Sequence, residues 1–184
     1  MQATLLLFLS LMANVVFGQS SSAPPNFNID SLLYARRTAP LGKLFPSFTA
    51  ISEGGTVSNE LLKGKIVLIN FWFEGCHPCL AEMEALDELH QLMKGNKDFL
   101  FISFTWDNPE AIKRVKEKYD ITFPVLSTSD EECSRLNFDN GYPTSIILDR
   151  TGIIKYLHSG GSNDKEMARE FIMTTLLSEI KSEL

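Results

Sequence analysis

Cysteine is scarce in this chain: three residues in 184, at positions 76, 79 and 133. No second CxxC and no paired histidine exist to complete a zinc site, and histidine itself occurs only three times. Exported proteins held together by disulfides carry even cysteine counts, so a pair plus one reads as a reactive pair rather than a staple. Basic residues are also short, 17 Lys and Arg against 23 Asp and Glu, for a formal charge of −6. That balance argues against nucleic acid and against anionic membrane faces as partners. No internal repeat is visible, and the length suits one domain with a real core.

The N-terminal apolar run, Leu5 to Phe17, is short for a membrane span and ends in Val16-Phe17-Gly18 ahead of Gln19. It reads as a secretory signal over residues 1–18 with cleavage after Gly18. The alternative is an uncleaved membrane anchor. No Lys or Arg precedes the run, so its positive charge rests on the α-amine, and no cysteine near the cleavage site invites a lipid. The location expected is periplasmic or otherwise extracytoplasmic. Residues 19–40, rich in Ser and Pro at the start, read as a flexible spacer in which Ile29 to Arg37 can form a short helical turn. Residues 41–184 read as the folded domain.

In that domain, Ile66 to Phe73 is a run of apolar and β-branched residues, the pattern of a strand buried on both faces. It stops at Glu74-Gly75, where glycine permits a sharp turn. Cys76-His77-Pro78-Cys79 follows, and then Leu80, Met83, Leu86 and Leu89 recur at helical spacing. The two cysteines are thus expected where a central strand turns into a helix. Unpaired N–H groups and the positive helix end favour a thiolate there. Cys76, first in the motif, is the expected nucleophile and Cys79 the resolving thiol. The plainer alternatives are two buried structural cysteines or half of a zinc site. Pro78 suits a first-turn helical position. His77 either tunes the Cys76 thiolate or simply faces solvent. Cys133 is expected as a small buried hydrophobe, the alternative being a regulatory or partner-bound thiol. Trp72 is expected as packing and Trp106 as a loop or strand-end aromatic, neither with a part in catalysis.

Downstream, strands alternate with helices and the chain closes with a hairpin around Arg150-Thr151-Gly152 and a last helix over about Asp164 to Lys181. Phe45-Pro46-Ser47-Phe48 and Thr56-Val57-Ser58 flank Ser52-Glu53-Gly54-Gly55, a hairpin signal ahead of the central strand. The class is α/β.

The stretch Phe71-Trp72-Phe73-Glu74-Gly75-Cys76-His77-Pro78-Cys79, with Leu62-Lys63-Gly64-Lys65 before it and Glu82 after it, resembles the TlpA/ResA-like branch of thioredoxin-fold thiol–disulfide oxidoreductases, in the AhpC/TSA–thioredoxin superfamily. The resemblance runs from about Gly42 to about Gly161. It implies a thioredoxin-like α/β/α sandwich whose central mixed sheet carries an added N-terminal β-hairpin. It also implies a redox-active Cys76–Cys79 disulfide with no other cofactor and no metal.

The resemblance further assigns residues. Where thioredoxins keep a buried Asp, this chain has Asn70, and the branch's own acid is matched by Glu82, which would take the Cys79 proton if half-buried. A surface Glu on an acidic helix is the alternative. Glu84 stands where the branch has Pro, so the usual helix kink is not expected. Gly141-Tyr142-Pro143-Thr144 matches a segment whose Pro is cis and faces the CxxC, with Tyr142 and Pro143 contacting substrate; an ordinary trans Pro is the alternative. The activity implied is reduction or isomerisation of protein disulfides, with apocytochromes among possible substrates and cytochrome c biogenesis as the setting. The protein would act as a monomer fed by a membrane or soluble electron donor. Two rivals share parts of the pattern. A peroxiredoxin needs a Pro-x-x-x-Thr-x-x-Cys motif, which is missing ahead of Cys76. A copper-handling assembly factor needs a distant third ligand, for which His90 and His158 are the candidates.

Overall fold

In the computed structural model, which describes residues 28–184, the chain begins with helix α1 (Ile29–Thr38). The expected signal segment lies outside the described residues. Within the stretch expected as a spacer, the helical turn expected over Ile29 to Arg37 is α1. The cause is local: the Asn28 side chain accepts from the Asp30 and Ser31 N–H groups, and Asp30 and Arg36–Arg37 sit at the dipole-favoured ends. Arg36 then donates to the Asp139 carbonyl at 2.6 Å, and the Gly42 N–H donates to the Ile154 carbonyl at 2.9 Å.

Strands β1 (Thr49–Ser52) and β2 (Gly55–Ser58) form the expected hairpin, which a 3₁₀ turn over Asn59–Leu62 joins to the central strand β3 (Ile66–Phe71). After β3 come α2 (His77–Met93), β4 (Phe99–Thr105), α3 (Pro109–Tyr119) and the short strand β5 (Val125–Ser127). Helix α4 (Asp130–Leu136), β6 (Thr144–Leu148) and β7 (Ile154–Ser159) complete the sheet. The last helical stretch is α5 (Lys165–Glu170), a π-helical turn (Phe171–Leu176) and α6 (Leu177–Glu183). One mixed seven-stranded sheet results, in the order β2-β1-β5-β4-β3-β6-β7. Strand β3 pairs parallel with β4 and antiparallel with β6, and the hairpin joins the sheet through β1 and β5. The α/β sandwich with a mixed sheet and an added N-terminal hairpin is therefore present.

All six residues of β3 are buried, the polar Asn70 among five apolar ones, as expected of a strand covered on both faces. Their side chains alternate between two cores. Ile66 and Leu68 pack under α2 and the C-terminal helices with Met83, Leu86, Leu89, Ile172 and Ile180. Val67, Ile69 and Phe71 pack on the other side with Phe45, Phe48, Phe104, Cys133 and Leu136. Helix α2 runs unbroken over its 17 residues, Glu84 lying within it. Outward from α2, Glu84 and Glu88 pair with Lys165 and Arg169 of α5 at 2.7 Å each. Among the described residues no helix is long and apolar enough to cross a membrane.

Candidate active site

The site grows from the end of β3. Trp72 is fully buried and its indole N–H donates to Ser103 Oγ on β4 at 3.1 Å, which locks the strand end before the turn. The Glu74 N–H donates to Asp107 Oδ2 at 2.6 Å, and the Glu74 carboxylate takes two 2.8 Å bonds from Arg114 of α3. The Arg114 guanidinium holds the Glu74 carboxyl below its usual pKa. The turn is therefore tied to the loop and helix beside it. Gly75 has a different reason from the one expected. Its backbone lies outside the left-handed region, and what a side chain there would meet is the Phe73 ring, 3.1 Å from the Cβ position.

Cys76 is the N-cap of α2, and Cys79 one turn on is bonded to it as a disulfide with Cα atoms 5.2 Å apart. The Cys79 N–H donates to Cys76 Sγ at 3.3 Å, so the first sulfur receives one of the helix's free N–H groups. His77 and Pro78 occupy the first helical positions; His77 is exposed and Pro78 half-buried. His77 opens toward a shallow depression shared with Leu80, Lys118, Tyr119 and Lys165.

One turn below Cys79 lies Glu82. It is 3 % exposed, more deeply buried than its sequence neighbours suggest, and burial pushes its carboxyl pKa from 4.5 up to about 8. Asn70, also buried, donates through Nδ2 to Ser145 Oγ at 3.1 Å. Tyr142-Pro143 is a cis peptide, as the resemblance implies, and Pro143 is buried. Pro143 and the Glu82 carboxyl converge on Gly161: a Cβ there would lie 2.8 Å from Pro143 Cγ and 2.7 Å from Glu82 Oε1. Thus Cys76, Cys79, Glu82 and Pro143 belong to one locality, while His77 faces outward from it.

Sequence reasoning missed an aromatic cluster beside the disulfide. Phe73 stacks on Trp106 at 4.5 Å, Trp106 meets Tyr142 edge-on at 4.6 Å, and Phe73 meets Tyr142 at 5.5 Å. Phe73 and Tyr142 pack against the same core cluster as Cys76 and Cys79. The three come from separate loops, so no spacing signal joins them. Trp106, read from sequence as a loop or strand-end aromatic, directly follows β4 and is the middle of this cluster. The other histidines sit apart from each other: His90 is 6.0 Å from the Phe101 ring, and His158 lies against Phe171 at 4.3 Å. Among the described residues no group of three or more His, Cys, Asp or Glu converges.

Cys133 is fully buried in the second core, and burial pushes its thiol up to about 12. Alkylation of the reduced native protein is expected to label Cys76 and Cys79, and Cys133 only after unfolding. Cys133→Ala is expected to leave activity intact and to cost about 1–3 kcal/mol in urea unfolding. Loss of turnover at normal stability would place Cys133 in the redox circuit instead.

Comparison with known proteins follows the same outline. The family described as Redoxin matches residues 40–172. The thioredoxin-like protein YneN of Bacillus subtilis is 32% identical over 133 residues, covering 70% of this chain and 77% of YneN. The thiol-disulfide oxidoreductase ResA of Bacillus thuringiensis is 31% identical over 135 residues, covering 72% of this chain and 76% of ResA. Among solved structures, the thioredoxin domain of a thiol-disulfide oxidoreductase from Bacteroides vulgatus superposes with a TM-score of 0.58 at 26% identity, covering 72% of this chain and 97% of that one. A thiol:disulfide interchange protein from Bacteroides sp. shares the fold, with a TM-score of 0.59 at 24% identity over 73% of this chain and 89% of that one. With its cysteine pair at the head of α2, the chain belongs to the Redoxin family and is a thioredoxin-fold thiol–disulfide oxidoreductase of the ResA-like kind.

Proposed function

We propose that this protein reduces protein disulfides outside the cytoplasm, with Cys76 as nucleophile, Cys79 as resolving thiol and Glu82 as proton carrier. In the reduced state the Cys76 thiolate, favoured by the N–H groups and dipole of α2, attacks one sulfur of a substrate disulfide. The substrate S–S bond breaks, a mixed disulfide forms, and the first substrate thiol leaves with a proton from solvent. Cys79 then gives its proton to Glu82 in its ionised form, a minor population at neutral pH for a carboxyl with a pKa of about 8, and the Cys79 thiolate attacks Cys76 Sγ. The Cys76–Cys79 disulfide closes and the second substrate thiol departs, so two electrons have passed from the pair to the substrate. An external dithiol donor reopens the disulfide, and Cys79 leaves by taking back the Glu82 proton. No metal or organic cofactor is needed for these steps. His77 and Pro78 set the thiolate's stability at the helix start, and Tyr142 with Pro143 borders the substrate strand.

The observation that carries the reading is the burial of Glu82 one turn from Cys79. The burial that keeps this carboxyl from ionising equally disfavours a thiolate at Cys79. The dithiol state is then less stabilised than in strong oxidants, whose reduced form is favoured. The extracytoplasmic location is supported by the apolar run Leu5 to Phe17 and the small residues before Gln19. The folded unit from about residue 41, with α1 ahead of it, would be what remains outside as a monomer.

Equilibration of the pair against dithiol buffers tests the direction. A reductase is expected below about −200 mV, whereas a potential near about −120 mV would make the protein an oxidant. Expressed from Met1, the protein is expected in the extracytoplasmic fraction and shortened at Gly18. Retention of the full-length chain in the membrane would assign the segment to an anchor.

A further inference from the structure

Gly161 stands just beyond β7, in the turn that passes over the buried carboxyl of α2. Its neighbour Gly160 has φ +96°, a conformation that favours glycine, yet no atom lies within 4 Å of a Cβ built there. Gly161 is the reverse case. Its φ lies outside the left-handed range, so the backbone accepts an L side chain, but the space does not. A Cβ would fall 2.7 Å from Glu82 Oε1 and 2.8 Å from Pro143 Cγ, both closer than real Cβ atoms come. The turn cannot simply lift away, because the Gly160 N–H donates to the Pro143 carbonyl at 2.9 Å. Glycine at 161 is therefore demanded by two residues of the site and not by the chain's own path.

Behind that contact is a cavity of about 520 Å³ whose lining includes Glu82, His158, Gly161, Met167 and Phe171. It has room for water beside a carboxyl that otherwise lies among apolar groups. His158, from β7, is the titratable side chain that shares this cavity with Glu82. Glu84 and Glu88 of α2 face outward to Lys165 and Arg169, and Asp164 caps α5 by accepting from the Glu166 and Met167 N–H groups.

We propose that Gly161 is a positioning residue for the redox cycle: its missing side chain lets the Glu82 carboxyl sit beside Pro143 with an open side on this cavity. The inference rests on the reading of Glu82 as proton carrier and adds how that carboxyl is placed and relieved of its proton. After Cys79 has passed its proton to Glu82, water in the cavity exchanges it with solvent. When the donor dithiol reopens the disulfide, the same route returns it. A methyl group at 161 pushes the carboxyl out of this gap and closes its open side.

The test compares Gly161→Ala, Glu82→Gln and the double variant in single-turnover decay of the mixed disulfide across pH, with unfolding curves alongside. Gly161→Ala is expected to slow resolution by about tenfold, as small misplacements of reacting groups do, and to move the midpoint of its pH profile. In the Glu82→Gln background the same methyl is expected to change the rate by less than about twofold, because non-additivity marks two residues acting together. A wild-type rate and profile for Gly161→Ala overturns the proposal, as does equal slowing with and without Glu82. If instead Glu82→Gln keeps the wild-type rate and profile, the proton-carrier reading itself falls. Should Gly161→Ala not fold, Glu82→Asp/Gly161→Ala supplies the answer, since the shorter acid vacates the space the methyl needs. Recovery of folding supports the assigned contact, and failure to recover places the obstruction at Pro143 alone and overturns the proposal.

Discussion

Cys76→Ser is expected to lower insulin-disulfide reduction by about three orders of magnitude or more, to the uncatalysed background. The hydroxyl cannot supply the thiolate that attacks a disulfide sulfur, and Cys79, one turn further into α2, is buried. Cys133 cannot stand in, being fully buried in the opposite core with a thiol pushed up to about 12. Cys79→Ser is expected to behave differently. Its Cys76 still attacks, because its helix-end environment is unchanged, but the mixed disulfide has no internal thiol to release it. Covalent adducts with substrate should therefore accumulate and run as a reducible higher-mass band on gels. Turnover retained in Cys76→Ser would remove the redox assignment of the pair. Adducts forming equally through Cys79 in that variant would reverse the two roles.

Glu82→Gln is expected to flatten the pH dependence of folding stability in the disulfide form. The Glu82 carboxyl has a native pKa of about 8 against 4.5 for a free glutamate. Below pH 4.5 the group is protonated in folded and unfolded chains alike, and its full contribution to stability is present. Between pH 4.5 and 8 the unfolded chain ionises while the native carboxyl stays protonated, so stability is lost steadily and the loss is complete above pH 8. Over that window the loss is on the order of 5 kcal/mol. Glutamine does not titrate, so the difference between variant and wild type in urea unfolding should grow from pH 5 to pH 9 in the variant's favour. Glu84→Gln serves as comparison: Glu84 is a largely exposed partner of Lys165, and its removal should cost at most about 1 kcal/mol with no matching slope. Parallel curves for Glu82→Gln and wild type would mean that water reaches Glu82 freely in the native state.

The parts of this protein that sequence reading found are those whose signals are short-range. A short run dominated by apolar and β-branched residues and ended by a glycine turn reads as a strand covered on both faces, and β3 is one. Asp164, where the sequence starts the last helix, caps α5 by accepting from the Glu166 and Met167 N–H groups. The cysteine pair reads as a strand-to-helix junction because period and turn chemistry change within a few residues. The helical turn expected over Ile29 to Arg37 forms as α1 for the same short-range reason, held by the Asn28 cap and by charges of the favoured sign at its two ends.

By itself, then, the sequence determined the α/β class, the hairpin, the central strand, and the cysteine pair at the start of a helix. Each follows from side-chain periodicity or from hydrogen bonds within one turn. Only the tertiary structure decided how deeply Glu82 is buried, that Phe73, Trp106 and Tyr142 meet, and that Gly161 closes on Glu82 and Pro143. Those facts depend on strands and loops far apart in the chain coming to one end of a sheet. The desolvation and close packing they produce are properties of the assembled volume, not of any segment in it.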